Sequence, residues 1–146
     1  MTLSRPTASV LYGLIALLAL VGTWGNNMQY LDLGLMGANL RFWQDTLANP
    51  AGRSITVDVI GMFLAASVWM CMEARRLGMK GAWLYVVLGL LIAISVTYPV
   101  FMLNRERALA KREGGDVSGE LGASEVALLV LSAVFACAYT TLALSR

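Results

Sequence analysis

Residues 54–80 read SITVDVIGMFLAASVWMCMEARRLGMK, an apolar run with Asp58 near its start, Glu73 near its end, and Arg75, Arg76 and Lys80 directly after it. The run predicts one crossing of a membrane, as a helix over about residues 55–75. Fifteen steps at about 1.5 Å separate the two carboxylates by roughly 22 Å along a helix, against roughly 30 Å for a hydrocarbon core, so each acid belongs near a different end. At about 100° per residue Glu73 returns to within roughly 60° of Asp58, which puts Asp58, Gly61, Ala65, Trp69 and Glu73 on one broad face. Charge is costly against lipid, and small residues four apart allow a neighbouring helix close, so this face is expected to look inward.

Three further apolar runs flank it. Residues 8–25, 82–104 and 124–144 have spanning length, and the third of the four runs carries Trp83 and Tyr85 at one end and Tyr98 and Phe101 at the other, as two interfacial belts would. Pro99 predicts a bend over the last turns of that helix. Thr23-Trp24-Gly25 after the first run does not resemble a small-residue cleavage site, so the first helix is expected to stay in place. Between runs one and two, Asn39 to Ala48 puts Leu40, Trp43 and Leu47 on one side and Arg41, Gln44 and Asp45 on the others, the pattern of a short interfacial helix over 39–48. Residues 113–123, with Gly114, Gly115 and Gly119, read as a flexible linker. The expected fold is therefore all-α: one membrane domain spanning residues 1–146, a bundle of four transmembrane helices with an interfacial helix between the first and second.

Composition narrows the function. The chain is 58% hydrophobic and 14% charged, with a net charge of +2, so nucleic acid is not an expected partner. The expected partners are membrane lipids and other membrane protein subunits. No histidine is present, and Cys71 and Cys137 lie alone in different runs, so neither a metal nor another cofactor is expected. Four spans would leave Arg5, Arg75, Arg76, Lys80 and Arg146 on one side and Arg41, Arg53, Arg105, Arg107, Lys111 and Arg112 on the other, a near balance. The dense basic turn at 75–80 favours cytoplasmic termini.

Two candidate sites follow. Trp24, Asn26 and Asn27 leave the first helix at the end where Asp58 enters the second, and the four form a candidate polar site; ordinary loop chemistry accounts for the same residues. Glu73 and Arg76, or Arg75, form a candidate ion pair at the other end.

An Asn49-Pro50 loop followed by Asp58, Trp69 with Glu73-Ala-Arg-Arg-Leu-Gly-Met79, and Pro99 with Phe101 and Arg105-Glu-Arg107 resemble a bacterial family of small inner-membrane proteins that is a domain of unknown function, over about residues 10–107. The resemblance implies a multi-pass protein of the bacterial cytoplasmic membrane and transfers no catalytic residues. It implies three helices ending soon after the Arg-Glu-Arg run, so the linker and fourth helix depart from the pattern. Three functions are weighed on chemistry alone. An accessory or scaffold subunit needs only packing faces and charged helix ends, and it is the expectation. A lipid- or isoprenoid-binding protein, or an enzyme using Asp58 as general acid, is the alternative; one acid without histidine or nucleophile is a thin catalytic set. A small dimeric transporter comes third, because neither acid lies at mid-membrane.

Overall fold

The computed structural model describes residues 2–113, 119–120 and 122–145. It is helical throughout apart from a two-residue antiparallel pairing of Thr2–Leu3 with Gly119–Glu120. The helices are α1 (Arg5–Asn27), α2 (Gly34–Leu47), α3 (Pro50–Leu77), α4 (Ala82–Leu91), α5 (Ile94–Glu113) and α6 (Ala123–Leu144), with a 3-10 segment at Met28–Leu33 joining α1 to α2. Three stretches are long and apolar enough to cross a membrane: Arg5–Leu47, Pro50–Leu77 and Ala123–Leu144.

The helix expected over 82–104 does not form. The chain breaks at Ile92 and Ala93, and α5 folds back on α4. Asn104 Nδ2 donates to the Tyr85 hydroxyl at 2.9 Å, and the Tyr85 and Phe101 rings meet edge to face at 5.2 Å. In a continuous helix Tyr85 and Asn104 would stand roughly 28 Å apart. Ten residues of α4 extend only about 15 Å, half of a hydrocarbon core of about 30 Å. Local sequence does not dictate the break, since Pro99 lies inside α5, several residues beyond it. Packing dictates it. A Cβ on Gly89 would lie 3.0 Å from Phe63 Cε2 and 3.1 Å from Thr97 Oγ1, so the missing side chain is what lets α3 and α5 close on α4. The freed turn finds donors locally: the Ala93 carbonyl accepts from the Val96 and Thr97 amides at 3.2 and 3.1 Å and from Thr97 Oγ1 at 3.3 Å. Backbone groups in apolar surroundings need such partners.

The two reversals that bracket α3 are legible residue by residue. Asn49 Oδ1 accepts from the Gly52 amide at 2.8 Å and Pro50 opens the first turn, so α3 starts ahead of residue 55. At its other end Gly78, at φ 66°, takes the left-handed conformation while the Met79 amide returns to the Ala74 carbonyl at 2.8 Å. Gly81, at φ 76°, completes the turn into α4.

Met70, Ala74 and Phe101 are fully buried and form the core, with Tyr85, Val86, Ile94, Tyr98 and Met102 packed around them. The buried stripe of α3 is thus Ala66, Met70, Glu73, Ala74 and Leu77. The inward face expected from Asp58 through Gly61 and Ala65 is corrected: all three are exposed, and a Cβ on Gly61 would meet nothing within 4 Å. At about 100° per residue Gly61 lies on the opposite side of the helix from Met70. The end of that face nearer the turn does meet α5: Trp69, 37% exposed, packs against Tyr98 and Phe101, and Glu73 is buried.

α5 makes its broadest contact with α1, antiparallel, where Arg5, Ala8 and Ala16 are buried and the small side chains let the helices approach. α6 runs parallel to α1, with Thr140 against Gly22 and Leu144 against Gly25, and buries none of its residues. An open groove of about 500 Å³ between these two helices is lined by Leu18, Val21, Cys137, Thr140 and Leu144. α2 folds back on the 3-10 segment through Tyr30, whose hydroxyl donates to Asp45 at 3.0 Å, and leaves Leu40, Trp43 and Leu47 exposed. Of the expected linker over 113–123, residues 114–118 and 121 lie outside the described residues.

The hairpin also redistributes charge. Arg105, Arg107, Lys111 and Arg112 return to the end of the bundle that holds Arg5, Arg75, Arg76 and Lys80, leaving Arg41 and Arg53 at the other. The near balance expected from four spans becomes eight against two among the described residues. The start of α1 and the finish of α6 lie at opposite ends.

Candidate functional site

The residues with chemistry converge at the basic end. On α3, Trp69, Glu73 and Arg76 follow one another at helical spacing; on α5, Phe101 and Arg105 do the same, and the two helices lie parallel along this pairing. Trp69 contacts Phe101 edge to face at 5.6 Å and Tyr98 at 5.9 Å, and the Arg105 guanidinium sits 5.8 Å from the Trp69 ring centre. Cation and ring attract through the ring quadrupole.

Glu73 is 8% exposed, and both of its oxygens are engaged. Arg76 Nε donates to Oε2 at 2.6 Å and its Nη2 to Oε1 at 2.7 Å, a bidentate fork from one turn on. Arg105 Nε donates to Oε1 at 2.7 Å from across the helix interface. Arg105 then reaches Glu106 Oε1 at 2.8 Å, and Arg5 of α1 approaches Glu106 Oε2 at 3.9 Å. Arg112 Nη1 donates to the Arg76 carbonyl at 2.8 Å, which satisfies an orphan acceptor in the last turn of α3. Six charged side chains thereby tie α1, α3 and α5 together. A carboxylate that accepts three charge-assisted bonds and is 8% exposed is fixed in place, with Oε1 fully engaged and only Oε2 keeping a lone pair; chemically the cluster is a clamp.

The candidate polar site is laid out differently. Asn26 Nδ2 donates to the Gly22 carbonyl of its own helix at 2.8 Å, Asn27 sits at the junction of α1 and the 3-10 segment, and Trp24 is 36% exposed on α1. Asp58 is exposed and, among the described residues, has no hydrogen bond or ion pair. The structure does not join Asp58 to either asparagine. No three of His, Cys, Asp and Glu gather within metal-binding reach among the described residues. Cys71 on α3 and Cys137 on α6 are free thiols.

Sequence reasoning paired Glu73 with its own helix and missed Arg105, Glu106 and Arg5. The signal was present in Arg105-Glu106-Arg107, a charge alternation at the end of an apolar run, but the straight helix expected over 82–104 sent it to the wrong end. Ser67 is a second residue without a sequence signal: its hydroxyl is buried and, among the described residues, has no partner.

Comparison with known proteins places these residues in a family. Neither a curated protein nor a solved structure matches the chain. A family model matches residues 11–107, a stretch that holds Trp69, Glu73, Arg76, Phe101, Arg105 and Glu106 and stops before the last turns of α5 and all of α6. The chain therefore belongs to the family described as Protein of unknown function DUF2834.

Proposed function

We propose that this chain is an accessory or scaffold subunit of the bacterial inner membrane, crossing it with α1, α3 and α6 and packing its uncovered helices against other membrane proteins. The observation that carries the reading is the contrast between the two parts of the molecule. The buried charges satisfy one another inside the clamp, whereas α6 exposes Leu128, Leu131, Val134 and Phe135 and, among the described residues, makes its main contact along α1. A helix that contributes so little to its own fold is available to another. Gly61 and Ala65 on the outer face of α3 add a second close-approach surface beside Asp58, a carboxylate that a partner's cation would neutralise. The exposed stripe of Leu40, Trp43 and Leu47 lays α2 on the bilayer surface at the less charged end.

The test is site-specific photocrosslinking in native membranes, with a photoreactive residue at Leu131, at Val134 and, as control, at the exposed Trp83. The reading predicts one discrete protein adduct, the same from both α6 positions and absent from the control. Lipid adducts alone at all three positions would sink it.

A further inference from the structure

We propose that the basic end of the bundle is a binding surface for the anionic head groups of phospholipids in the cytoplasmic leaflet, formed by Arg75, Lys80, Arg107, Lys111 and Arg112. The reversal at Ile92 and Ala93 gathers eight cations of the described residues at one end of the molecule. Glu73 and Glu106 are consumed by Arg76, Arg105 and Arg5. The remaining five are exposed and have no carboxylate partner among the described residues.

They are also close together in depth. Arg112 binds the Arg76 carbonyl, and its Nη2 would lie 3.7 Å from a Cβ on Gly78, two residues from Lys80. Lys111 adjoins Arg112, and Arg107 precedes Lys111 by one helical turn on the same face. Arg107 is steadied by the Asn104 side-chain oxygen at 3.3 Å, and Arg112 by its carbonyl; each uses one N–H and keeps the rest of its fork for phosphate oxygens. Directly beyond Lys80 and Gly81, Trp83 is 63% exposed and Leu84 45% exposed, so apolar surface suited to acyl chains adjoins the cations. That adjacency selects a lipid over a soluble anion. An eight-to-two bias of basic residues sets this end in the cytoplasm, the side on which anionic lipids attract juxtamembrane cations. The hairpin accordingly enters and leaves by the cytoplasmic face, and α6 finishes on the other side. None of this depends on the accessory function.

The test reconstitutes the full chain in bilayer discs of phosphatidylcholine containing a minority of phosphatidylglycerol and measures the lipid retained by native mass spectrometry. The parent should hold phosphatidylglycerol above its share of the bilayer. Lys80→Gln with Arg107→Gln and Lys111→Gln should lower that retention by about tenfold or more, with added salt weakening the parent toward the variant. Arg41→Gln with Arg53→Gln, at the opposite end, should leave it unchanged. Absence of a phosphatidylglycerol preference in the parent, full retention by the triple variant, or an equal loss in the control overturns the proposal. Orientation is read separately, with Lys80→Cys as the single cysteine in a Cys71→Ser, Cys137→Ser chain. It should react with an impermeant maleimide only after the cells are opened, and labelling in intact cells overturns the cytoplasmic placement.

Discussion

Glu73→Gln removes the charge at the centre of the clamp while keeping its shape, and the structure gives the expected loss. Two unit charges about 4 Å apart attract by roughly 4 kcal/mol at an effective dielectric constant of about 20. Glu73 meets two guanidiniums at shorter heavy-atom distances, 2.6 to 2.7 Å, and the desolvation cost of bringing it inside is already met in the folded state. Breaking a buried pair by neutralising one partner typically costs about 3–5 kcal/mol. The glutamine oxygen still accepts one bond, and Arg105 still has Glu106, so Glu73→Gln should cost about 2–4 kcal/mol. Arg76 is different, because its own side chain is 60% exposed and Glu73 keeps Arg105, but the buried carboxylate loses two of its three bonds; Arg76→Gln should cost about 1–2 kcal/mol. Arg105, 22% exposed and bound to two acids, should fall between them. Equilibrium unfolding in mixed micelles, with all three variants and the Glu73→Gln/Arg105→Gln double variant, reads the order directly. The cycle should show a coupling above about 1 kcal/mol between Glu73 and Arg105, as contacting charges in one network do. A Glu73→Gln protein within about 0.5 kcal/mol of its parent would refute the clamp.

The hairpin itself is testable by distance: spin labels at 85 and 104 should report two packed helices, about 8–10 Å between axes, whereas a straight helix gives roughly 28 Å. Gly89→Leu should cost at least about 1–3 kcal/mol through overpacking against Phe63 and Thr97, while Gly61→Leu, facing open space, should be nearly neutral in the same unfolding assay; equal losses would contradict the packing described. Ser67→Ala, which deletes a buried hydroxyl with no partner among the described residues, should leave stability unchanged or slightly raised, and a loss above about 1 kcal/mol would reveal a bond that the fold does not show. Tyr85→Phe should destabilise by about 1 kcal/mol by stranding the Asn104 amide, an effect that Asn104→Leu in the same protein should largely remove.

What the sequence determined by itself is what local chemistry enforces. Asn49-Pro50 opens a helix and Gly78 closes it whatever surrounds them, because a capping side chain and a left-handed glycine act over a few residues. The apolar lengths of the first, second and last runs likewise follow from composition, and α6 at 123–144 lies within a residue of the expected start. Glu73 could be read as one half of a helix-end pair because Arg76 is a turn away.

The third run was decided only in three dimensions. Leu90, Leu91, Ile92 and Ala93 carry no breaker, and aromatic residues at both ends of a hydrophobic stretch are equally compatible with a straight span and with a hairpin that brings both ends to one level. Contacts with α3 chose between them: Phe63 against Gly89, Trp69 against Tyr98 and Phe101, and Glu73 against Arg105. That choice rotated the buried face of α3 away from Gly61, moved four cations from one end of the molecule to the other, and assembled the clamp. A helical sequence specifies which residues share a face, but a membrane helix is apolar on nearly every side. Which face is covered depends on where the neighbouring chain returns.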